Sequence, residues 1–178
     1  MNNSVRQLQQ HLENFIEHTG RAIAWLTLAM GVIMFVVVFL RFVMNVGWIW
    51  LQESVNYMHA YVFMLGAAYT MKHDGHVRVD IFYRNMSPKK QALVDLLGTL
   101  FLLLPLSLFV FYVSWPEVVK SWQTLEPSQQ SGGLDFAYIL KSSMLIMPAL
   151  LTLQGIAIIL KKVHILRSPL PTQPGEAD

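Results

Sequence analysis

The chain has 178 residues, of which 54% are hydrophobic and 13% charged, whereas soluble domains typically carry about 25% charged residues. The 13 Lys and Arg residues are spread between apolar segments, which excludes the continuous basic face that nucleic-acid binding requires. Cys is absent, which excludes disulfides, thiolate metal sites and thiol nucleophiles. This composition indicates a protein whose surroundings are lipid.

The N-terminal segment, residues 1–20, has the pattern of an amphipathic helix. One helical stripe collects its apolar side chains, namely Val5, Leu8, Leu12, Phe15 and Ile16. We expect this helix to lie on the cytoplasmic membrane face. Packing of the same stripe against a partner protein is an equally good interpretation.

Four stretches contain no Asp, Glu, Lys or Arg: residues 22–40, 54–71, 96–116 and 142–160. Each is long enough, at about 1.5 Å per helical residue, to cross a hydrocarbon core of about 30 Å. Because unpaired backbone groups are not tolerated in lipid, each should be a helix. The sequence therefore predicts an all-α integral membrane protein with a four-helix domain over residues 21–166. A disordered, Pro-rich tail should follow over residues 167–178.

The distribution of positive charge predicts the orientation. Ten of the 13 Lys and Arg residues lie in the two termini and in the loop between the second and third spans. Only Arg41, Lys120 and Lys141 lie on the other side. By the positive-inside rule, both termini should be cytoplasmic, and the first and third loops should face outward.

Polar and small residues form a stripe along the second span. They recur at spacings of three and four, so they share one helix face: Gln52, Asn56, His59, Phe63, Gly66 and Thr70. In a membrane such a face should contact protein, because polar groups find partners there and small residues allow close approach. The contact could be with another subunit or with this chain's own helices.

Two charges flank the first outward loop. Arg41 ends the first span and Glu53 precedes the second, so the hairpin should bring them together. We expect an ion pair at the membrane boundary, because charges removed from water there need partners. Two independent side chains that reach for water are the alternative.

The spans offer little for catalysis or for a coupling site. They hold no carboxylate, Lys or Arg, and their single His is His59, whereas haem clamped between helices needs a second axial ligand. His73 and His76 lie near Asp74 and Asp80, which is a weak metal signal in a loop. A non-enzymatic accessory subunit is favoured. The alternatives are a haem- or quinone-associated anchor of an oxidoreductase and an autonomous small exporter.

Short sequence motifs indicate a particular kind of accessory subunit. Three of them lie before, within and after the second span: Trp50-Leu51-Gln52-Glu53, Leu65-Gly66-Ala67-Ala68-Tyr69 and His76-Val77-Arg78-Val79-Asp80. Through these motifs the chain resembles, over residues 20–166, the small membrane subunit (DctQ-like) of tripartite ATP-independent periplasmic (TRAP) transporters. The outward loop is similar to the branch labelled for mannitol, chloroaromatic or 2-oxo acid transport, through Ser121-Trp122, Glu126-Pro127-Ser128, Gly132-Gly133-Leu134 and Lys141.

The resemblance implies a scaffolding subunit of a sodium-coupled transporter that imports an organic acid across the bacterial inner membrane. Its implied partners are a large multi-span permease, a soluble periplasmic binding protein and the lipid bilayer, with no nucleic acid. Sodium would be bound by the large subunit, and this subunit would carry no cofactor.

The resemblance also implies roles for individual residues. It adds Glu53 to the subunit interface formed by the second-span stripe. It places His76, Arg78 and Asp80 in a cytoplasmic loop that orders the second and third helices. Arg41 has its structural role between helices from the ion pair expected above. Four outward-facing charges become candidates for docking the binding protein: Glu117, Lys120, Glu126 and Asp135.

Overall fold

The computed structural model describes residues 3–76 and 83–167 and contains four long helices in that part of the chain. They are α1 (Asn3–Val43), α2 (Ile49–Lys72), α3 (Pro88–Thr124) and α4 (Ala137–Arg167). No strand occurs among the described residues. The predicted all-α membrane class is confirmed at this level, and each of the four predicted spans lies within one helix.

Three helices are long and apolar enough to cross a membrane. They are α1 from Arg6 to Val43, α3 and α4. Helix α2 is not among these three, and its sequence gives the reason, since Asn56 and His59 lower its apolar character. The fourth crossing predicted from the absence of charges therefore stays a prediction, as does the orientation.

Helix α4 holds the bundle together. It packs against α1, α2 and α3, whereas α1 packs mainly on α2, and α3 mainly on α4. Ile16, Ala68 and Leu150 from three different helices form the buried core. Large apolar side chains point outward elsewhere, as with Phe42, which is 81% exposed. Such surfaces are rare on soluble monomers and suit a helix surrounded by lipid or by protein.

Helix α1 is continuous through residue 20, with no break between the predicted amphipathic segment and the first span. Within that segment Ile16 is buried in the core, whereas Leu8 and Phe15 are exposed. Gly20 lets α2 approach closely, because a Cβ there would lie 2.0 Å from the ring of Tyr69. Part of the predicted stripe is thus used inside this chain, and the rest stays open to a membrane or a partner.

Local sequence explains the boundaries of α3. Ser87 occupies the N-cap position and Pro88 the first helical position, where the missing proline N–H costs nothing. A Ser-Pro pair predicts from sequence alone that a helix begins at the proline, and the structure confirms this start. A π-helical segment, Thr99–Leu103, interrupts α3 just before Pro105. The helix ends at Thr124 and is followed by Leu125 in the left-handed conformation.

The helices alternate in direction, which gives the bundle two ends. We call one of them the clasp end: it contains the start of α2, the end of α3 and the α3–α4 loop. There, the backbone N–H of Leu134 in the loop donates a hydrogen bond to Glu53 of α2. The basic end contains Glu17 of α1, Lys72 of α2, Asp95 of α3 and Lys162 of α4, joined by two ion pairs.

Candidate interaction surfaces

The polar stripe of α2 lies on the outside of the bundle. Gln52, Asn56 and His59 are exposed, and Phe63 is 70% exposed. A Cβ added at Gly66 would meet nothing within 4 Å. Of the two partners that the sequence left open, this chain's own helices are therefore not the ones that cover this face.

The stripe changes character at its last member. Thr70 is half-buried, and its hydroxyl donates to the Gly66 carbonyl at 3.0 Å within α2. Its methyl group lies 3.0 Å from where a Cβ of Gly75 would stand. Thr70 thus packs on the turn that follows α2, and the open stripe runs from Gln52 to Gly66.

Glu53 points away from that stripe. Its carboxylate accepts hydrogen bonds from the Ser128 hydroxyl at 2.7 Å and from the Leu134 backbone N–H. Gly133 makes room for this contact, since a Cβ there would lie 2.3 Å from the carboxylate. Glu53 therefore joins α2 to the α3–α4 loop, and in this structure it is not part of the exposed face to which the resemblance assigned it.

The predicted ion pair between Arg41 and Glu53 is wrong. Arg41 is exposed, and no ion pair involving it occurs among the described residues. The physical reason is that the folded α3–α4 loop offers Glu53 a hydroxyl and a backbone N–H in fixed positions. The side chain of Arg41 stays exposed at the surface of this chain instead.

Two tyrosines extend the contact made by Glu53, and sequence reasoning missed them. The Tyr57 hydroxyl donates to the Leu134 carbonyl at 3.5 Å, and the Tyr61 hydroxyl to the Ile139 carbonyl at 2.7 Å. Residues 53, 57 and 61 are spaced by four, so they form a second stripe on α2. That spacing was the signal which could have revealed them.

Two of the four charges predicted to face outward belong to one ionic cluster within this chain. The Lys141 ammonium donates to Glu117 at 2.7 Å and to Glu126 at 2.6 Å. The hydrogen bond from Lys141 holds the pKa of Glu126 below its usual value. Lys120 and Asp135 are exposed. Only two of the four charges predicted for docking are therefore free of this cluster.

A second ionic cluster lies at the basic end and had no signal in local sequence. Glu17 of α1 accepts from Lys72 at 2.7 Å and lies 2.9 Å from the His73 ring. These contacts, that of Lys72 first, lower the pKa of Glu17 from 4.5 to about 2. Arg21 adds a contact one helical turn along, at 3.1 Å. The cluster fixes the end of α2 against α1.

The loop after α2 is described only as far as His76, whose Nε2 lies 3.3 Å from the Ala67 carbonyl. Arg78 and Asp80, predicted to order the same loop, lie outside the described residues. Within residues 3–76 and 83–167 no group of three or more His, Asp or Glu is placed to hold a metal ion.

Of three comparisons with known proteins, one found a match. Neither a search of curated proteins nor a search of solved structures found a match. Residues 30–164 match the family model described as tripartite ATP-independent periplasmic transporters, DctQ component. The match covers most of the chain and includes all of α2 and α3, most of α4 and the C-terminal part of α1, so the chain belongs to the DctQ family of TRAP transporter subunits.

Proposed function

We propose that this chain is the small scaffolding subunit of a TRAP transporter and presents the open stripe of α2 to the large permease subunit. One observation carries the proposal: polar and small residues of α2 lie on the outside of the bundle. The transporter is sodium-coupled and imports an organic acid with the help of a periplasmic binding protein. The chain itself is not an enzyme and needs no cofactor.

Energetics favour a protein partner on this face. A polar group left without a hydrogen-bond partner in an apolar medium costs on the order of 1–3 kcal/mol by protein measurements, and both Asn56 and His59 are exposed at the surface of this chain. A partner helix supplies hydrogen bonds to them, and Gly66 lets its backbone come close. The same partner makes a fourth crossing by α2 acceptable despite its moderate apolarity.

The orientation follows from charge. We propose that the basic end is cytoplasmic and that both termini lie there, because ten of the 13 Lys and Arg residues fall on that side. The clasp end then faces the periplasm, where the binding protein arrives. Lys120 and Asp135, exposed near this end, are the docking charges that we retain.

The substrate class rests on the resemblance of the outward loop. The motifs around Trp122, Pro127 and Gly133 favour the branch labelled for mannitol, chloroaromatic or 2-oxo acid transport. Reconstitution tests this directly: uptake of a 2-oxo acid into liposomes should require this chain, a large permease subunit, a binding protein and an inward sodium gradient. Uptake by this chain alone would contradict the scaffolding role.

The interface itself is tested by adding bulk where this chain has space. We expect Gly66→Phe to weaken co-purification with the large subunit by about tenfold or more, the equivalent of about 1.4 kcal/mol. Gly31→Phe is the matched control, since a Cβ at either glycine meets nothing within 4 Å. Equal recovery of the large subunit with both variants would show that the stripe is not the interface.

A further inference from the structure

The basic end contains a cavity of about 730 Å³, which residues from all four helices line. Small-molecule sites typically have volumes of about 300–1,000 Å³, so this cavity is large enough for a ligand. Charged side chains line one part of it, including Lys72, Asp95 and Lys161. Apolar side chains line the other part, including Leu102 and Leu106. Both leucines are largely exposed, at 72% and 62%, so the apolar wall continues into the outer surface of α3.

A buried amide lines the same cavity. Gln154 of α4 is only 3% exposed, and its Oε1 has no hydrogen-bond partner among the described residues. Leaving such a group unpaired costs about 1–3 kcal/mol. Gln154 lies seven residues before Lys161, which is about 10 Å along the helix. A ligand that contacts both Lys161 and the amide of Gln154 must therefore carry polar groups about 10 Å apart.

The charges of the wall nearly balance. Three lysines and three carboxylates line the cavity, the others being Lys162, Glu13 and Asp74. Lys162 is paired with Asp95, and Lys72 with Glu17. No ion pair involving Lys161 occurs in the described part of the chain. One lysine is thus free for a phosphate, while the acidic groups disfavour a ligand with excess negative charge.

We infer that this cavity binds a zwitterionic phospholipid from the leaflet at the basic end, with a phosphate and an ammonium in its headgroup. The phosphate binds Lys161, and the ammonium lies near the carboxylate of Glu13, which lines the cavity and forms no ion pair among the described residues. An ester group of the lipid reaches Gln154, whose amide can donate or accept after a flip. One acyl chain follows Leu102 and Leu106 out to the bilayer.

The local geometry of α3 supports this assignment. Gly98, Thr99 and Leu103 line the cavity, and Thr99–Leu103 is the π-helical segment. Such segments occur frequently at functional sites because they displace the helix wall locally. The first part of α3 packs chiefly on α4, so a lipid in the cavity would also brace it against α1 and α2. This inference requires only that the chain resides in a membrane, and it is independent of the transporter partner.

Binding is tested on the full chain in detergent by native mass spectrometry and thermal unfolding, with phosphatidylethanolamine as the probe. We expect one retained lipid and a rise in melting temperature. Leu106→Trp, which narrows the opening, should weaken retention by about tenfold. Leu108→Trp is the control, because Leu108 is exposed on the same helix but does not line the cavity. Equal retention by both variants would overturn the site.

Two further comparisons identify the ligand chemistry. Lys161→Gln should reduce retention, whereas Lys120→Gln at the other end should not. Phosphatidylglycerol should bind more weakly than phosphatidylethanolamine, and inorganic phosphate should not displace the lipid. Tighter binding of phosphatidylglycerol, or displacement by phosphate, would replace this inference with an anionic-lipid site or a soluble-anion site.

Gln154→Leu supplies a readout that separates binding from folding. Removing the unpaired amide should raise the melting temperature in lipid-free detergent. The additional rise produced by phosphatidylethanolamine should become smaller than in the wild type. An unchanged lipid-induced rise would show that the amide does not meet the lipid.

Discussion

The two ends of the bundle are closed in different ways. At the clasp end, Glu53, Tyr57 and Tyr61 of α2 bond directly to the α3–α4 loop and the start of α4, in addition to the ion pairs of Lys141. At the basic end, ion pairs join helices two at a time, and a cavity remains between them. Hydrogen bonds to backbone groups fix the position of the loop relative to α2. The ion pairs at the basic end surround a cavity, which leaves space for a bound ligand.

This difference suits a scaffold in a transporter. In the orientation proposed above, a binding protein would dock at the clasp end, where bonds to a single loop keep the shape of the surface constant. The basic end is held mainly by charged pairs that are partly exposed to solvent, and such pairs each contribute little to stability. We therefore expect the clasp end to dominate the stability of the isolated subunit.

The largest effect should come from breaking the clasp. Glu53→Gln keeps the side-chain shape but removes the charge. Its amide oxygen can accept from the Leu134 N–H only if its NH₂ group faces the Ser128 hydroxyl, so two charge-assisted hydrogen bonds are replaced by neutral ones. Hydrogen bonds to charged groups contribute about 1.5–3 kcal/mol, so thermal unfolding of the purified subunit should shift down by several degrees. Arg41→Gln, which removes an exposed charge at the same end, should leave the melting temperature unchanged.

The pair of variants also decides between two arrangements of this end. If Arg41 stabilised Glu53, both substitutions would lower the melting temperature by similar amounts, and the double variant would cost no more than either one. A loss confined to Glu53→Gln is what the contacts with Ser128 and Leu134 require.

A smaller effect should follow from separating α1 and α2. In Gly20→Ala the new methyl would lie 2.0 Å from the Tyr69 ring, and such overpacking costs about 1–3 kcal/mol. The better helix propensity of Ala returns up to about 1 kcal/mol. The net change in the free energy of unfolding should be a loss of about 0.5–2 kcal/mol.

Gly31→Ala is the matched control on the same helix. A Cβ at this position meets nothing within 4 Å, so only the propensity gain remains and the subunit should become slightly more stable. Thermal unfolding in one detergent compares both variants. Equal changes of the same sign would show that α1 and α2 do not approach each other as closely at Gly20 as the packing of Tyr69 implies.

Patterns within single helices were readable from the sequence. Stretches without charge located all four helices, the Ser87-Pro88 pair located the start of α3, and the spacing on α2 identified a polar face whose partner the sequence left undecided. These signals are local, because composition and periodicity act through the helix itself. The family resemblance was likewise carried by short motifs and was confirmed at the level of the family.

Contacts between distant residues were not readable. Glu53 was assigned to Arg41 because the hairpin is short, but its partners lie 75 and 81 residues away. The same holds for Glu17 with Lys72 and for Lys141 with its two carboxylates. Charge partners depend on how helices are arranged, and α4 lies between α2 and α3 in a way that no local pattern indicates.

The smallest effect concerns pH at the basic end. The pKa of Glu17 is lowered from 4.5 to about 2, chiefly by Lys72. The unfolded chain therefore binds this proton more readily than the folded chain between these two values. The contribution of Glu17 is fully present above about pH 4.5 and is lost as the pH falls towards about 2.

Other carboxylates titrate in the same pH range, so the contribution of Glu17 is measured as the difference in melting temperature between the wild type and Glu17→Gln. Glu17→Gln should lower the melting temperature slightly at pH 7, and the gap between it and the wild type should close as the pH falls from about 4.5 towards about 2. Lys72→Met should have a similar pH profile, because it removes the main cause of the shift. A gap that stays constant with pH would mean that the ionised form of Glu17 does not stabilise the basic end, and the contrast with the clasp end would then be greater still.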